Sequence, residues 1–298
     1  MKKIVITGHT GFIGRNLIDS MDEKKFSVTG ISRTCLDDTH VNQIKRDIQN
    51  IKNTDIEKNS IIIHLAGMTN ILDCEKYPTE CIRINVGHTQ KILEIAREKN
   101  CKVIFPSTSH VYGYPKKLPI DEEHAVNATS IYSASKIAGE ALCQGYSNSY
   151  KIDVGVFRLF SAYGPRNSDY KVESRIISQL LGKKKIKIGN LSPKRDFIYV
   201  SDVVSGIKTI MNNLKGFEIY NIGTGKSNSI KELYLTLKRI SGKTSQIETI
   251  KSHSRKIDIP NVICDNKKIR RLGWEPKISL FKGLEITYNW YKKNSKSV

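Results

Sequence analysis

The sequence predicts an α/β protein built on a doubly wound parallel sheet, followed by a smaller α/β lobe. Three observations predict it. Short runs rich in Ile and Val alternate with longer polar segments of helical period through the first half. Three glycines spaced three residues apart, Gly8, Gly11 and Gly14, follow the first such run directly. After Arg158 the rhythm loosens into shorter elements. Strand, helix, strand repeated is how a parallel sheet covered on both faces reads.

The elements follow in order. KIVIT is the first strand, and TGHTGFIG then leads into the helical run RNLIDSM. Glycines are needed at that junction because the chain turns tightly and its backbone must approach a pyrophosphate, whose charge sits on the exposed N–H groups at the helix start. A strand before and a helix after meet the context that this Rossmann-type fingerprint requires. FSVTGIS, IIIHLA, KVIFPS and IDVGVFRL are further strands. At the end of FSVTGIS an NAD site usually carries a carboxylate for the ribose hydroxyls, whereas this chain has Ser32 and Arg33. Arginine suits the extra phosphate of NADP, so NADP is expected ahead of NAD, the alternative being a surface arginine on a loop. Asp47, in KRDIQN, is either a ligand for the adenine amino group or a helix cap. SAYGPRN marks a boundary near Gly164; beyond it FEIYNIG reads as a strand and Ser229 to Ile240 as a helix.

With 298 residues, 39% of them hydrophobic, the chain can bury a large core. MKKIVIT has too short an apolar run for a secretory signal, and no stretch reaches the length of a membrane span. Six cysteines stand far apart without a CxxC pair, which fits reduced thiols in a cytoplasm and gives no zinc spacing. A cytoplasmic protein without metal is expected. The net charge of +20 attracts polyanions, yet the basic residues are scattered and lack a recognition motif, so solvated faces are expected over a nucleic-acid groove.

Tyrosine followed four residues later by lysine occurs at Tyr112/Lys116, Tyr132/Lys136, Tyr234/Lys238 and Tyr288/Lys292. Gly113 and Pro115 bar a helix across the first pair. The last two pairs fall beyond Gly164 and read as surface pairs. Tyr132/Lys136 lies in TSIYSASKIAGEALCQGY, a long helix capped by Thr129 or Ser130, with small residues that permit close approach. Positions i and i+4 share a helix face, so the ammonium lies beside the phenol and draws its pKa down toward working pH, which makes it an acid or base. Ser107, Thr108 and Ser109 close the strand KVIFPS at the edge where ligands collect in such sheets.

In sequence order, TGHTGFIG, HLAG, INVGHT, STSHVYG, YSASK, RLFSAYGPR, RDFIYVSDVV, YNIGTG and LGWEP resemble the extended short-chain dehydrogenase/reductase family, specifically its nucleotide-sugar epimerases, dehydratases and reductases. The resemblance spans nearly the whole chain. It implies a cofactor domain over 1–164, with a return segment near 197–222, and a sugar-nucleotide lobe over 165–298. It makes Thr108, Tyr132 and Lys136 the catalytic trio: Tyr132 exchanges a proton with a sugar oxygen, Thr108 hydrogen-bonds that oxygen, and Lys136 binds the nicotinamide ribose. It gives the cofactor Gly8, Gly11, Phe12, Ile13 and Gly14, then Ser32, Arg33, Asp47 and Ile48, then Leu65, Ala66 and Gly67, and it makes Asn85 the residue that organises the lysine. Toward the substrate it places Ser109, Ser161, Arg195, Arg255 and Asp258. A bidentate guanidinium at Arg195 suits a diphosphate, the alternative being an ion pair with Asp196 or Asp202. A homodimer through the long helices, Tyr132's among them, is implied as well.

The chain departs from the family twice. Ser161 stands where an asparagine usually reaches toward the sugar phosphate, and Thr108-Ser109-His110 stands where the 4,6-dehydratases carry Thr-Asp-Glu. Without that acidic pair, dehydration is not expected. Arg33, and a segment GMTNILDCEKYP that resembles the matching loop of 4-dehydrorhamnose reductases, make an NADPH-dependent reductase of a nucleotide-linked 4-keto-6-deoxysugar the expected activity. An NAD-dependent 4-epimerase is the alternative. A cofactor-sensing or nucleic-acid-binding protein that kept only the fold has no need of Thr108, Tyr132 and Lys136, and all three are present.

Overall fold

Each Ile- and Val-rich run of the first half forms a strand, because β-branched side chains pack well on a pleated surface buried on both sides. The computed structural model describes residues 1–37, 39–182, 185–250 and 259–294. β1 (Lys2–Thr7) turns through Gly8 into α1 (Phe12–Asp19); β2 (Phe26–Ser32), β3 (Asn42–Lys45) and β4 (Ile61–His64) follow. Two short helices, α2 (Ile71–Lys76) and α3 (Pro78–Ile82), lead through a π turn at Arg83–Gly87 into α4 (His88–Lys99). Next come β5 (Lys102–Thr108), the twenty-residue α5 (Ile131–Tyr150), β6 (Val154–Leu159) and β7 (Ser161–Tyr163). The second half contains α6 (Val172–Gly182), β8 (Lys185–Ile188), β9 (Lys194–Arg195), β10 (Phe197–Tyr199), α7 (Val200–Asn212), β11 (Phe217–Ile222), β12 (Asn228–Ser229), α8 (Ile230–Ser241), β13 (Gln246–Thr249), α9 (Lys267–Arg270) and α10 (Leu280–Asn294).

Seven strands form one parallel sheet in the order β11-β6-β5-β4-β1-β2-β3. The chain winds outward from β1 through β2 and β3, then reverses through β4, so the switch point lies between β1 and β4. Successive side chains alternate between the two faces. Ile4, Ile6, Ile61, Ile63, Ile104 and Phe157 pack with Leu17 and Ile18 of α1 and with Val203, Ile207 and Ile210 of α7. Val5, Ile62, Val103, Phe105, Val154 and Val156 pack on the other side with Ile92, Leu93 and Ala96 of α4 and Cys143 of α5. A further core joins α6, α8 and α10 through Ile176, Leu180, Leu233, Leu237 and Leu284.

Ser130 is the cap of α5: its hydroxyl accepts from the Ser133 amide at 3.1 Å, and Ser133 Oγ accepts in return from the Ser130 amide at 3.0 Å. Gly139 lets this helix lie close on β5, since a Cβ there would stand 2.5 Å from the Phe105 ring. Gly139 therefore serves helix–sheet packing, whereas Gly145 of the same helix has open space beside it. All six cysteines are free thiols. Among the described residues no helix is long and apolar enough to cross a membrane.

The junction between β9 and β10 is anchored by Asp196, which is fully buried. Its carboxylate accepts from the amides of Thr224 at 2.7 Å, Gly225 at 2.8 Å and Cys264 at 3.1 Å, and from the Thr224 hydroxyl at 2.6 Å. Removing it orphans four donors at once, the buried Cys264 amide among them. Asp196→Ala is therefore expected to lower unfolding free energy by roughly 3 kcal/mol or more, measured by urea denaturation; a loss within error would show that water replaces the carboxylate.

Candidate active site

The β1–α1 turn has the shape that the glycine spacing predicted. Gly8 has φ +69°, and a Cβ on it would stand 2.7 Å from the Ala66 amide nitrogen. A Cβ on Gly14 would meet the Gly8 carbonyl oxygen at 2.6 Å. Both positions therefore exclude a side chain. Gly11 caps α1 with no side-chain hydrogen bond, so the helix start presents bare amides at Phe12 and Ile13. His9 is buried; its Nε2 bonds Gln43 Oε1 at 2.8 Å, while its Nδ1 has no partner.

Across the switch point, Leu65, Ala66 and Gly67 leave β4 beside this turn. Thr7 Oγ1 accepts from the Ala66 amide at 3.2 Å and bonds the buried His64 at 2.7 Å. Burial, with the Lys136 and His88 charges behind it, lowers the His64 pKa to about 3, so His64 is neutral. Asn85 sits in the π turn, a widened helical turn frequent at functional sites. Its Oδ1 accepts from the Met68 amide at 2.8 Å; its Nδ2 donates to the Met68 carbonyl and to Ser135 Oγ, both at 2.9 Å. Asn85 thus ties the loop after β4 to Ser135, the residue before Lys136. A Cβ on Gly67 would stand 3.1 Å from Asn85 Oδ1 and 3.8 Å from Lys136 Nζ, so the absent side chain leaves space against the ammonium.

β5 delivers Thr108 and Ser109 to the same edge. Thr108 is buried and its Oγ1 accepts from the His110 amide at 3.3 Å, which directs the hydroxyl proton elsewhere. Tyr132 is buried with Cys74 and Cys81, and the His110 ring stands edge-on to it at 6.2 Å. Burial pushes the Tyr132 pKa up, a hydrogen bond with Thr108 working against it, and Tyr170, Cys74 and Cys81 add to the rise. Burial is the largest influence on the phenol and raises its pKa, so the expected lowering toward working pH does not occur in the protein alone. Lys136 is buried too, its Nζ 4.8 Å from the Phe105 ring centroid. Burial lowers its pKa from 10.5 to about 8, opposed by Cys143, Cys81, Glu140 and Cys74.

At the far end of the cleft, Ser32 Oγ bonds Thr10 Oγ1 at 3.0 Å, and Arg33 is exposed. Asp47 caps the short turn Ile48–Asn50, accepting from the Gln49 amide at 3.0 Å, and Ile48 is buried beneath it. On the opposite side, Ser161 is half-buried on β7, its amide bonded to the Asp196 carbonyl at 2.9 Å. Arg195 is half-buried and donates to the Ile259 carbonyl at 2.7 Å. Neither aspartate considered as its partner is turned to it: Asp196 serves main-chain amides, and Asp202 accepts from the Ile278 amide at 2.9 Å. Arg255 and Asp258 lie outside the described residues.

The other three tyrosine–lysine pairs lie apart from this cluster. Tyr112 is buried with its hydroxyl on Asn221 Oδ1 at 2.7 Å, and Lys116 is exposed. Tyr234 and Tyr288 are buried as well, which corrects their reading as surface pairs: both rings fill the core between α8 and α10, and the Tyr234 hydroxyl bonds the Ser245 carbonyl at 3.0 Å. Sequence reasoning missed two exposed residues at the lip. Thr69 Oγ1 and the Tyr170 hydroxyl meet at 3.0 Å. Tyr170 is 101 positions away from Thr69, and no local pattern signals that approach.

A doubly wound sheet whose switch point carries a side-chain-free turn, bare helix-start amides and a buried Tyr–Lys–Thr cluster defines a dinucleotide-dependent enzyme. The chain belongs to the NAD-dependent epimerase/dehydratase family, whose model matches residues 4–223. It is 31% identical to a UDP-glucuronate 4-epimerase of Thermodesulfobacterium geofontis, covering 97% of this chain and 96% of that one. It is 29% identical to the dTDP-D-glucose 4,6-dehydratase of mouse, over 98% of this chain and 89% of the other. A crystal structure of UDP-glucuronic acid 4-epimerase from Bacillus cereus, in complex with UDP-glucuronic acid and NAD, superposes with a TM-score of 0.90 at 28% identity, covering 98% and 99% of the two chains. The chain is an NAD(P)-dependent enzyme of nucleotide-sugar chemistry.

Between pH 8 and 10.5 an unfolded Lys136 holds a proton that the folded one has lost, so this group makes stability rise with pH across that window. Below it, the buried charge is a burden of roughly 3 kcal/mol. Lys136→Met is expected to raise the Tm of cofactor-free protein at pH 7 by several degrees and to remove that slope. Calorimetry of both proteins at pH 7 and pH 10 checks it; a lower Tm for the variant at pH 7 would mean the ammonium is stabilised where it lies.

Proposed function

We propose that the protein is a UDP-sugar 4-epimerase working with a resident NAD, its substrate a UDP-linked hexose or hexuronate. The observation that carries this is the burial of Thr108, Tyr132 and Lys136 together, Thr108 hydrogen-bonded to Tyr132 and Lys136 Nζ bordering the Gly67 gap. An oxidised nicotinamide bound in this cleft would supply the hydride acceptor. With that group bound, Tyr132 would take the C4 hydroxyl proton and later return it, Thr108 would donate a hydrogen bond to the same oxygen, and Lys136, whose ammonium borders the space at Gly67, would hold the ribose hydroxyls. Both the epimerase relative and the epimerase complex with NAD favour this reading over the reductase. Ser109 and His110 provide no carboxylate for the elimination that a dehydratase performs.

Residues 165–298, apart from the return segment near 197–222, serve the sugar nucleotide in this reading. Ser161 and Arg195 face its phosphates, with Arg255 and Asp258 assigned to the nucleotide. A cytoplasmic homodimer through α5 belongs to the same proposal. One observation favours a second reading: Ser32 and Arg33 provide no carboxylate for the adenosine ribose, which suits NADPH and a reductase.

Purified protein incubated with UDP-glucose or UDP-glucuronate, without added cofactor, is expected to yield the C4 epimer and to release NAD on denaturation. Tyr132→Phe is expected to lower kcat about 10² to 10⁴-fold while keeping its NAD. Consumption of NADPH with a 4-keto sugar nucleotide, and no epimer from either UDP-sugar, would replace the epimerase by the reductase.

A further inference from the structure

One turn beyond Lys136 on α5, Glu140 is buried at 6% exposure and faces Arg158 of β6, buried at 4%. Arg158 Nη2 donates to Glu140 Oε2 at 2.7 Å and Nε to Oε1 at 3.0 Å. The hydroxyl of Ser107, the residue before Thr108, donates to the same carboxylate. From its other side Arg158 donates to the Glu122 carbonyl at 3.0 Å and to the Tyr112 hydroxyl at 3.1 Å, and Tyr112 donates to Asn221 of β11 at 2.7 Å. One buried charge pair therefore joins the reacting helix to the ends of β5, β6 and β11.

A buried ion pair is a weak device for stability, because desolvation offsets most of its attraction and an apolar pair of similar volume serves as well. What it adds is fixed geometry and a fixed charge. Both neighbours of this pair are reacting groups: Thr108 follows Ser107, and Lys136 precedes Glu140 by one turn. We propose that Glu140 and Arg158 are positioning residues for the reaction, holding Thr108 and α5 in register and setting the charge on Lys136 without touching the substrate. The inference rests on the catalytic reading above.

Several groups face the ammonium. Glu140 and Cys143 come from its own helix, Cys74 from α2, Cys81 from α3, His64 from β4 and the Phe105 ring from β5, with Arg158 of β6 behind Glu140. Cys74 and Cys143 are held as neutral thiols by burial, and His64 is neutral. Glu140 is the carboxylate that acts on the ammonium, and it is paired with Arg158, so Arg158 determines how much of its charge Lys136 feels. Removing the two partners must shift Lys136 in opposite directions. Glu140→Gln deletes the attraction and leaves a bare guanidinium, so the ammonium gives up its proton more easily. Arg158→Gln releases the carboxylate to Lys136, which then holds its proton to higher pH.

The test is carbamylation of Lys136 by cyanate, a reagent small enough for a buried amine, followed by mass spectrometry of its peptide as a function of pH. The midpoint is expected to fall in Glu140→Gln and to rise in Arg158→Gln, each by at least about half a unit, with the basic limb of turnover moving likewise. The double variant Glu140→Gln/Arg158→Gln removes both charges together and is expected to return the midpoint to within a few tenths of the parent's. If a single variant does not fold, the double variant decides: a midpoint displaced from the parent's by half a unit or more overturns the inference. So do shifts in the same direction, or a fall in Tm with unmoved midpoints. Cyanate needs no turnover, so the absence of epimerase activity would sink the reading above and leave this measurement valid.

Discussion

An ammonium held out of water dominates this molecule. Lys136 is enclosed by α2, α3, α5 and the end of β5, and its burial is opposed only by partial charges, a ring face and a carboxylate already engaged elsewhere. Such a group is tolerated where the surrounding backbone is rigid enough to prevent collapse around it or escape from it. Much of the nearby architecture meets that demand. The Ser130–Ser133 capping box fixes the start of the helix, Gly139 presses it onto Phe105, and Asn85 ties Ser135 to the loop after β4. Tyr132 is carried on the same rigid turn, and the same exclusion of solvent raises its pKa.

The sheet was legible because its signals are local. KIVIT, FSVTGIS, IIIHLA, KVIFPS and IDVGVFRL all contain strands of the central sheet, and Ser229 caps the helix expected after it. The tyrosine–lysine pair was legible because helical spacing alone sets two side chains on one face. What sequence could not give was the sign of the Tyr132 shift, which depends on how completely the surrounding elements close over the ring. Tyr234 and Tyr288 were misjudged for a related reason. A tyrosine on an amphipathic helix reads as surface until the facing helix is known, and α10 lies far along the chain from α8. The Glu140–Arg158 pair and the Asp196 crown are long-range pairings with no periodic signature.

The cation excess has a partial structural explanation. Lys2 bonds Asn212 at 3.2 Å, Lys102 bonds the Leu214 carbonyl at 3.1 Å, and Lys208 bonds the Ser20 carbonyl. These lie where α1 and α7 end, at the edge of the sheet remote from the site, and cations there complement helix dipoles and satisfy terminal carbonyls. Lys102 also pairs with Asp153 at 2.7 Å, and Lys3 with Glu57 at 2.6 Å. This part of the charge answers to the fold rather than to a polyanion.

The seventh strand brings a consequence for how the chain is made. β11 covers β6, yet it leaves the ribosome more than fifty residues later, after α6 and α7. Until then β6 is a bare hydrogen-bonding rim, flanked by Val154, Val156 and Phe157 and ready to template pairing with a neighbouring nascent chain. A fragment cut at residue 164 keeps that rim permanently and loses the Asn221 end of the Arg158–Tyr112 chain. The N-terminal half is therefore not a self-sufficient unit: its last seam is sewn by the half that follows.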